Sequence, residues 1–273
     1  MTDSSAPQAP DLTADLALAL RLADTADAIA MARYDSLDLQ VSTKPDRSFV
    51  TDADLAVEQG IREILAAERP EDGILGEEFG TAGSTTRQWI IDPIDGTANF
   101  LRGVPNWASL ISLAIDGKPV VGVVSAPAMR ARWWAATGAG AWGLRGDEST
   151  PRRLAVSQVS DIADASFSFQ SIEQWEDAGR LDQLLALSRA VWRDRAYGDM
   201  WSYMLLAEGS IDAVAEFDVK EYDLGAHVPI VQEAGGRLTD IDGDDTIATR
   251  SVLATNGRLH DQFLAHVTTA QRP

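Results

Sequence analysis

The 273-residue sequence contains no cysteine, which excludes disulfide bridges, thiolate nucleophiles and sulfur-ligated zinc or iron together. Histidine is scarce as well: His227, His260 and His266 are the whole supply, and none has HExxH spacing. Any metal must then be held largely by oxygen, which suits a hard cation such as magnesium. No Lys/Arg-rich run occurs, and 42 acidic against 23 basic residues leave a formal net charge of -19. Such a surface repels a nucleic-acid backbone, so no polynucleotide partner is expected. Also missing is any apolar run near the roughly 20 residues that cross a bilayer. Residues 1–11 lack the charged-then-apolar layout of a signal peptide and read as a disordered tail. These absences predict a soluble cytoplasmic protein with no membrane partner. What is present, 45% hydrophobic residues, suffices for a sizeable core.

Leu12, Leu16, Leu20 and Ala23 recur at helical spacing behind Asp11, a candidate N-cap, and predict a helix over 12–34. A second helix is predicted over 52–68, with Val57, Ile61, Ile64 and Leu65 on one face and Pro70 beyond its end. Residues 44–48 read as a loop. A short strand is expected at 89–91, a hairpin of 109–115 with 120–125 about Asp116-Gly117, and a second pair at 132–136 and 141–144. Beyond the polar stretch 145–153 the pattern gives strands at 165–169, 211–217, 237–241 and 251–255. Helices are expected at 177–190, 200–208, 224–234 and 259–267. The expected division is an N-terminal α+β domain over 12–148 and a C-terminal α/β domain over 149–273.

Asp92 and Asp95 stand three apart directly after an apolar strand, with Pro93 stiffening the turn and Gly96 permitting close backbone approach. That arrangement aims two carboxylates at one point. The residues after Gly96 can open a short helix, whose N–H groups would hold a phosphate beside those carboxylates. Thr51 and Asp54 have capping-box spacing ahead of the second helix, and Asp223 is placed as a helix N-cap would be. Residues 138–143 satisfy GxGxxG, but no helix pattern follows Gly143, which argues against a dinucleotide site. Trp107, Trp133, Trp134, Trp192 and Trp201 read as core or interface packing.

The run Trp89-Ile90-Ile91-Asp92-Pro93-Ile94-Asp95-Gly96-Thr97 resembles the signature of the inositol monophosphatase superfamily. Leu75-Gly76-Glu77-Glu78 resembles its Gly-Glu-Glu element, and Val50-Thr51-Asp52-Ala53-Asp54 its Val-Thr-x-x-Asp element. Glu221-Tyr222-Asp223 with Glu233-Ala234-Gly235-Gly236 resembles its Trp-Asp and Glu-Ala-Gly-Gly elements, with Tyr222 where tryptophan is usual. The likeness runs from the first helix to the final strand. It implies a layered αβαβα sandwich, mixing α+β and α/β halves, with metals bound between them. It further implies a phosphomonoesterase using two or three Mg2+ ions and commonly a homodimer. Glu77, Asp92 and the Ile94 carbonyl would hold one ion, and Asp92, Asp95 and Asp223 a second. A weaker third would sit near Glu77 and Asp54. Water would be the nucleophile, oriented by Thr97 and Asp54, with the amides of Gly96 and Thr97 on the phosphate. Crowding these carboxylates should also raise their pKa values.

Arg195-Ala196-Tyr197-Gly198-Asp199 and the run 99–108 resemble the branch of that superfamily acting on histidinol phosphate more than the inositol branch. The candidate substrate residues are Asp95, Arg195, Asp199 and Glu216. Asp199 and Glu216 suit the amine and imidazole of histidinol phosphate through charge-assisted hydrogen bonds. Inositol hydroxyls could use the same carboxylates, so an inositol 1-phosphate or broad small-molecule phosphatase is the alternative reading. A phosphate-binding protein without turnover is the more distant one.

Overall fold

The computed structural model describes residues 11–34, 36, 38–43 and 49–268. The tail expected over 1–11, apart from Asp11, and the loop expected over 44–48 lie outside the described residues. Helix α1 (Thr13–Arg33) begins just after Asp11, whose Oδ1 accepts the Thr13 N–H at 3.0 Å. A two-stranded ribbon of β1 (Val41–Thr43) and β2 (Phe49–Thr51) leads straight into α2 (Asp52–Glu68). That helix starts where the capping box dictates. The Thr51 hydroxyl accepts the amides of Ala53 and Asp54, and the Asp54 carboxylate accepts the Thr51 N–H.

The first large sheet contains β3 (Gly73–Gly76), β4 (Gly80–Ala82) and β5 (Arg87–Asp95), and the short α3 (Thr97–Phe100) follows β5. It continues through β6 (Ala108–Ile115), β7 (Lys118–Ala126), β8 (Ala131–Ala136), β9 (Ala141–Arg145) and β10 (Arg152–Arg153). Its eight strands run in the order β10-β9-β8-β7-β6-β5-β3-β4, antiparallel except for the parallel pair β3 and β5. After it come β11 (Ser166–Ser168), α4 (Ile172–Asp177), α5 (Leu181–Ala190), β12 (Arg193–Arg195), α6 (Asp199–Ala207) and β13 (Ala213–Phe217). The chain ends with α7 (Glu221–Leu224), α8 (His227–Glu233), β14 (Arg237–Thr239), β15 (Ser251–Thr255) and α9 (His260–Thr268). The second sheet has five strands in the order β12-β11-β13-β15-β14.

Strand alternation sorts the core into layers. Trp89 and Ile91 of β5 pack with Leu22 of α1 and Ile61 of α2 on one face of the first sheet. Ile90 points the other way, into a cluster with Met204 of α6, Ile230 of α8 and Val214 of β13. The far face of the second sheet places Phe167 and Ala215 against Trp175 of α4, Leu187 of α5 and Phe263 of α9. Helices, sheet, helices, sheet, helices follow one another, as the αβαβα expectation requires.

Local differences have local causes. The helix expected over 177–190 is α5, which starts only at Leu181 because the chain turns at Ala178-Gly179-Arg180 with Gly179 at φ 67°, and α4 ahead of it was not expected. The one expected over 224–234 is α8, which starts at His227, and the short α7 ahead of it was not expected. β10 pairs with β9, so the first sheet extends past residue 148. Trp107 and Trp133 are fully buried, whereas Trp192 is 68% exposed. The glycine run 138–143 spans the turn joining antiparallel β8 and β9 and the first residues of β9. There the Gly138 and Gly140 amides donate to the two oxygens of Glu233 at 2.8 and 2.7 Å.

Gly122 of β7 is where the first sheet meets the backbone between α7 and α8. A Cβ there would lie 2.2 Å from the Ala226 carbonyl oxygen. Gly122→Ala is expected to lower unfolding free energy by about 1–3 kcal/mol, measured by urea denaturation. An unchanged midpoint would show that the helix pair slides freely on the sheet.

Candidate active site

Strand β5 carries Asp92 with the same parity as Ile90, toward the middle helix layer. Asp92 is 2% exposed and its Oδ1 has no hydrogen-bond partner. A register shift between Asp92 and Asp95 turns the end of the strand. Asp95 is half-buried, and its Oδ2 accepts the Met200 N–H at 2.6 Å, tying this strand end to the start of α6. Gly96 sits in the left-handed region at φ 83°, where a Cβ would come 2.9 Å from the Asn106 carbonyl. The Thr97 hydroxyl lies 3.0 Å from the Ile94 carbonyl and 3.3 Å from Asp54 Oδ1. Since α3 has only four residues, its dipole is small. Any anion there would depend on individual N–H groups.

Glu77 follows β3, and its N–H donates to the Ile91 carbonyl at 3.1 Å. The loop around it is fastened by Glu58, one helical turn after Asp54 on α2. Glu58 is wholly buried and accepts the Glu78 amide at 2.8 Å, the Phe79 amide at 3.2 Å and Arg62 Nε at 2.8 Å. Sequence reasoning missed it, although a glutamate beside Val57 on an apolar helix face was a signal. From the other half of the chain Asp223 enters on α7, where its Oδ2 accepts the Lys220 N–H at 2.7 Å. Asp223 is thus not the N-cap expected of it: Lys220 holds that position, and Asp223 caps from the third residue of α7, as Asp54 does in α2.

These carboxylates share one buried electrostatic environment. Burial first, then the charges of Glu77, Asp95, Asp223 and Asp54, drive the Asp92 carboxyl well above the usual range. Burial followed by Asp199 and Asp223 does the same to Asp95. Burial lifts Asp54 to about 6 against the hydrogen bonds from Thr51. It lifts Asp223 to about 7, with the Lys220 amide and ammonium opposing. Among the described residues, no three His, Cys, Asp or Glu side chains are drawn together at ligand spacing. The group nevertheless offers only oxygen donors, and one buried oxygen of Asp92 lacks a partner, which is a donor set that fits a hard cation.

Beside it opens a cavity of about 190 Å³ lined by Asp95, Gln170, Asp199, Tyr203, Glu216 and His227, among others. Asp199 adopts φ 49° and is held from both halves: Gln170 Nε2 donates to its Oδ1 at 2.8 Å and Asn99 Nδ2 to its Oδ2 at 2.7 Å. Glu216 shares the inward parity of Val214 on β13 and is 4% exposed, so it is no solvent-facing strand end. Its Oε2 accepts the Tyr203 hydroxyl at 2.8 Å. Burial raises the Glu216 carboxyl to about 8, with the Tyr203 hydrogen bond opposing. Arg195 is not brought to this group. It is exposed on edge strand β12, and its Nη1 donates to the Asp194 carbonyl. Gln170, Tyr203 and His227 were missed because a lone amide and ring side chains within apolar helices carry no spacing signature.

Fold and site together describe a five-layer sandwich with a carboxylate-lined centre. Residues 11–272 match the inositol monophosphatase family. The chain is 54% identical over 256 residues to a histidinol-phosphatase of Mycobacterium tuberculosis, covering 93% of this chain and 97% of that one. It is 52% identical over 262 residues to a histidinol-phosphatase of Streptomyces coelicolor, covering 94% and 98%. The solved structure of an inositol monophosphatase from Zymomonas mobilis matches 95% of this chain and 100% of its own, with a TM-score of 0.83 at 31% identity. The chain therefore belongs to the inositol monophosphatase family.

A raised carboxyl pKa means that the native chain binds more protons than the unfolded one between the two values, so stability falls as pH rises through that window. Asp54 near 6, Asp223 near 7 and Glu216 near 8 each lose their contribution within that range, and Asp92 and Asp95, also raised, act in the same direction. The melting temperature of EDTA-treated protein should therefore drop between about pH 5 and about pH 8. Added magnesium should raise it more at the higher pH, and a flat profile with no magnesium effect would contradict the proposed electrostatics.

Proposed function

We propose that the protein is a magnesium-dependent phosphomonoesterase that hydrolyses histidinol phosphate to histidinol and inorganic phosphate. One observation carries this reading: the buried carboxylates around the unpartnered Oδ1 of Asp92 adjoin a cavity walled by Asp95, Asp199 and Glu216. Glu77, Asp92, the Ile94 carbonyl, Asp95 and Asp223 would hold two ions, and Glu77 with Asp54 a third. When bound, magnesium supplies Lewis acidity that neutralises phosphoryl charge and acidifies water. The chain's own residues direct the reaction. The Thr97 hydroxyl, 3.3 Å from Asp54 Oδ1, orients the attacking water, and Asp54, raised to about 6, is matched to receive its proton near neutrality. The N–H groups of Gly96 and Thr97 face the phosphoryl oxygens. Attack is in line: the bond from water oxygen to phosphorus forms as the bond to the leaving alcohol oxygen breaks, and that oxygen takes a proton from solvent while Asp54 returns its own to solvent.

Support for histidinol phosphate comes from the acidic cavity walls, which suit a protonated amine, and from the names of the relatives 54% and 52% identical. Inositol 1-phosphate is the second reading, favoured by the name of the structural neighbour and by carboxylates able to accept from hydroxyls. A homodimer in the cytoplasm is part of the same proposal. Arg195 is left out of it, because it lies exposed away from the cavity.

Purified protein with magnesium should release phosphate from histidinol phosphate with higher kcat/KM than from inositol 1-phosphate. A preference for the inositol ester would sink the first substrate. Asp92→Asn should cut turnover by at least roughly 10²–10³-fold while circular dichroism stays native. Near-normal turnover of that variant at saturating magnesium would remove Asp92 from the reaction.

A further inference from the structure

Tyr203 and His227 form a buried pair that no motif of the sequence covers. Tyr203 of α6 is 2% exposed and His227 of α8 is 1% exposed. Their rings stack with centroids 4.3 Å apart and planes 11° from parallel. Both line the cavity beside Glu216. The Tyr203 hydroxyl, fixed by that stack, donates to Oε2 of Glu216 at 2.8 Å. Oε1 of Glu216 is buried and has no hydrogen-bond partner. The side chain is thus clamped at one oxygen and open at the other, and an orphaned buried acceptor is stabilised when a donor arrives.

We infer that Tyr203, braced by His227, is a positioning residue that presents Oε1 of Glu216 to a nitrogen donor on the leaving alcohol, selecting amine-bearing phosphate esters over neutral polyol phosphates. The chemistry of the wall favours a cation. Asp199 and Glu216 line the cavity beyond the metal-holding Asp95 and Asp223, Asp218 at its edge is paired with Arg250, and among its lining residues there is no Lys or Arg. The one imidazole there is held neutral by burial, so it adds no repelling charge. An ammonium favours the ionised form of Glu216 that burial alone disfavours, and so gains a charge-assisted hydrogen bond at this place, while a hydroxyl gains a weaker one. Orientation matters because a carboxylate freed from its clamp can turn away from the incoming donor.

The inference rests on the substrate reading above, and the test separates the two. Steady-state kcat and KM are measured with magnesium for histidinol phosphate and glycerol 2-phosphate, using the unmodified protein, Tyr203→Phe and Glu216→Gln, with a thermal melt of each. Tyr203→Phe should raise KM for histidinol phosphate about tenfold. Its kcat on that ester, and both constants on glycerol 2-phosphate, should move by less than about threefold. Glu216→Gln should lose the same selectivity. Equal losses on both esters, or a fall in kcat with KM unmoved, would mark Tyr203 as structural only and overturn the inference. Selectivity lost in Glu216→Gln but kept in Tyr203→Phe would also overturn it while sparing the substrate reading. Selectivity kept in both variants would remove Glu216 from substrate recognition altogether, and the inference with it.

Discussion

Like charges buried side by side are the constraint around which this chain is arranged. The first sheet and its loops deliver Glu77, Asp92 and Asp95, and the second half delivers Asp199, Glu216 and Asp223. Left alone, such a group would push the halves apart. Hydrogen bonds across the junction resist this. Asp95 accepts from Met200, Asn99 donates to Asp199, Asn106 donates to the Tyr197 carbonyl, and Ser112 donates to the Gly225 carbonyl. A divalent cation in their midst would convert each repulsive pair into two attractive ones, which is why one arrangement can be costly by itself and favourable with its ion.

Much of the fold could be read from residue order. Helix α2 appears at its predicted bounds, because the Thr51–Asp54 capping box and the apolar face of Val57, Ile61 and Leu65 are both local signals. The hairpin at Asp116-Gly117 was equally plain, since both residues take positive φ as that turn requires. Strands β3, β4 and β12 were not seen. Each has three or four residues, too few for a period, and owes its conformation to neighbouring strands. β5 ran longer than its apolar stretch, because pairing with β6 continues through Asp92 and past an irregularity to Asp95.

At the site, neighbours within one contiguous stretch could be grouped from spacing, whereas sequence-distant side chains could be named only where a family resemblance supplied them. Asp92, Asp95, Gly96 and Thr97 follow one another in the chain, so spacing alone put them together. Glu58 and Tyr203 occupy helix faces where a periodic pattern only announces burial, and their roles depend on what lies opposite them. Arg195 shows the converse. It stands four residues before Asp199, yet the edge strand carries it outward.

The clasp between Glu233 and the β8–β9 turn has a mechanical meaning. Two amides of a glycine turn surround a carboxylate as a nest surrounds a free anion, but here the guest is covalently part of α8. Glu233 is the last residue of a helix that begins four residues after Asp223. The hairpin is therefore fastened to the far end of a helix whose near end adjoins the segment bearing Asp223, so the β8–β9 turn and that segment are joined by one short helix.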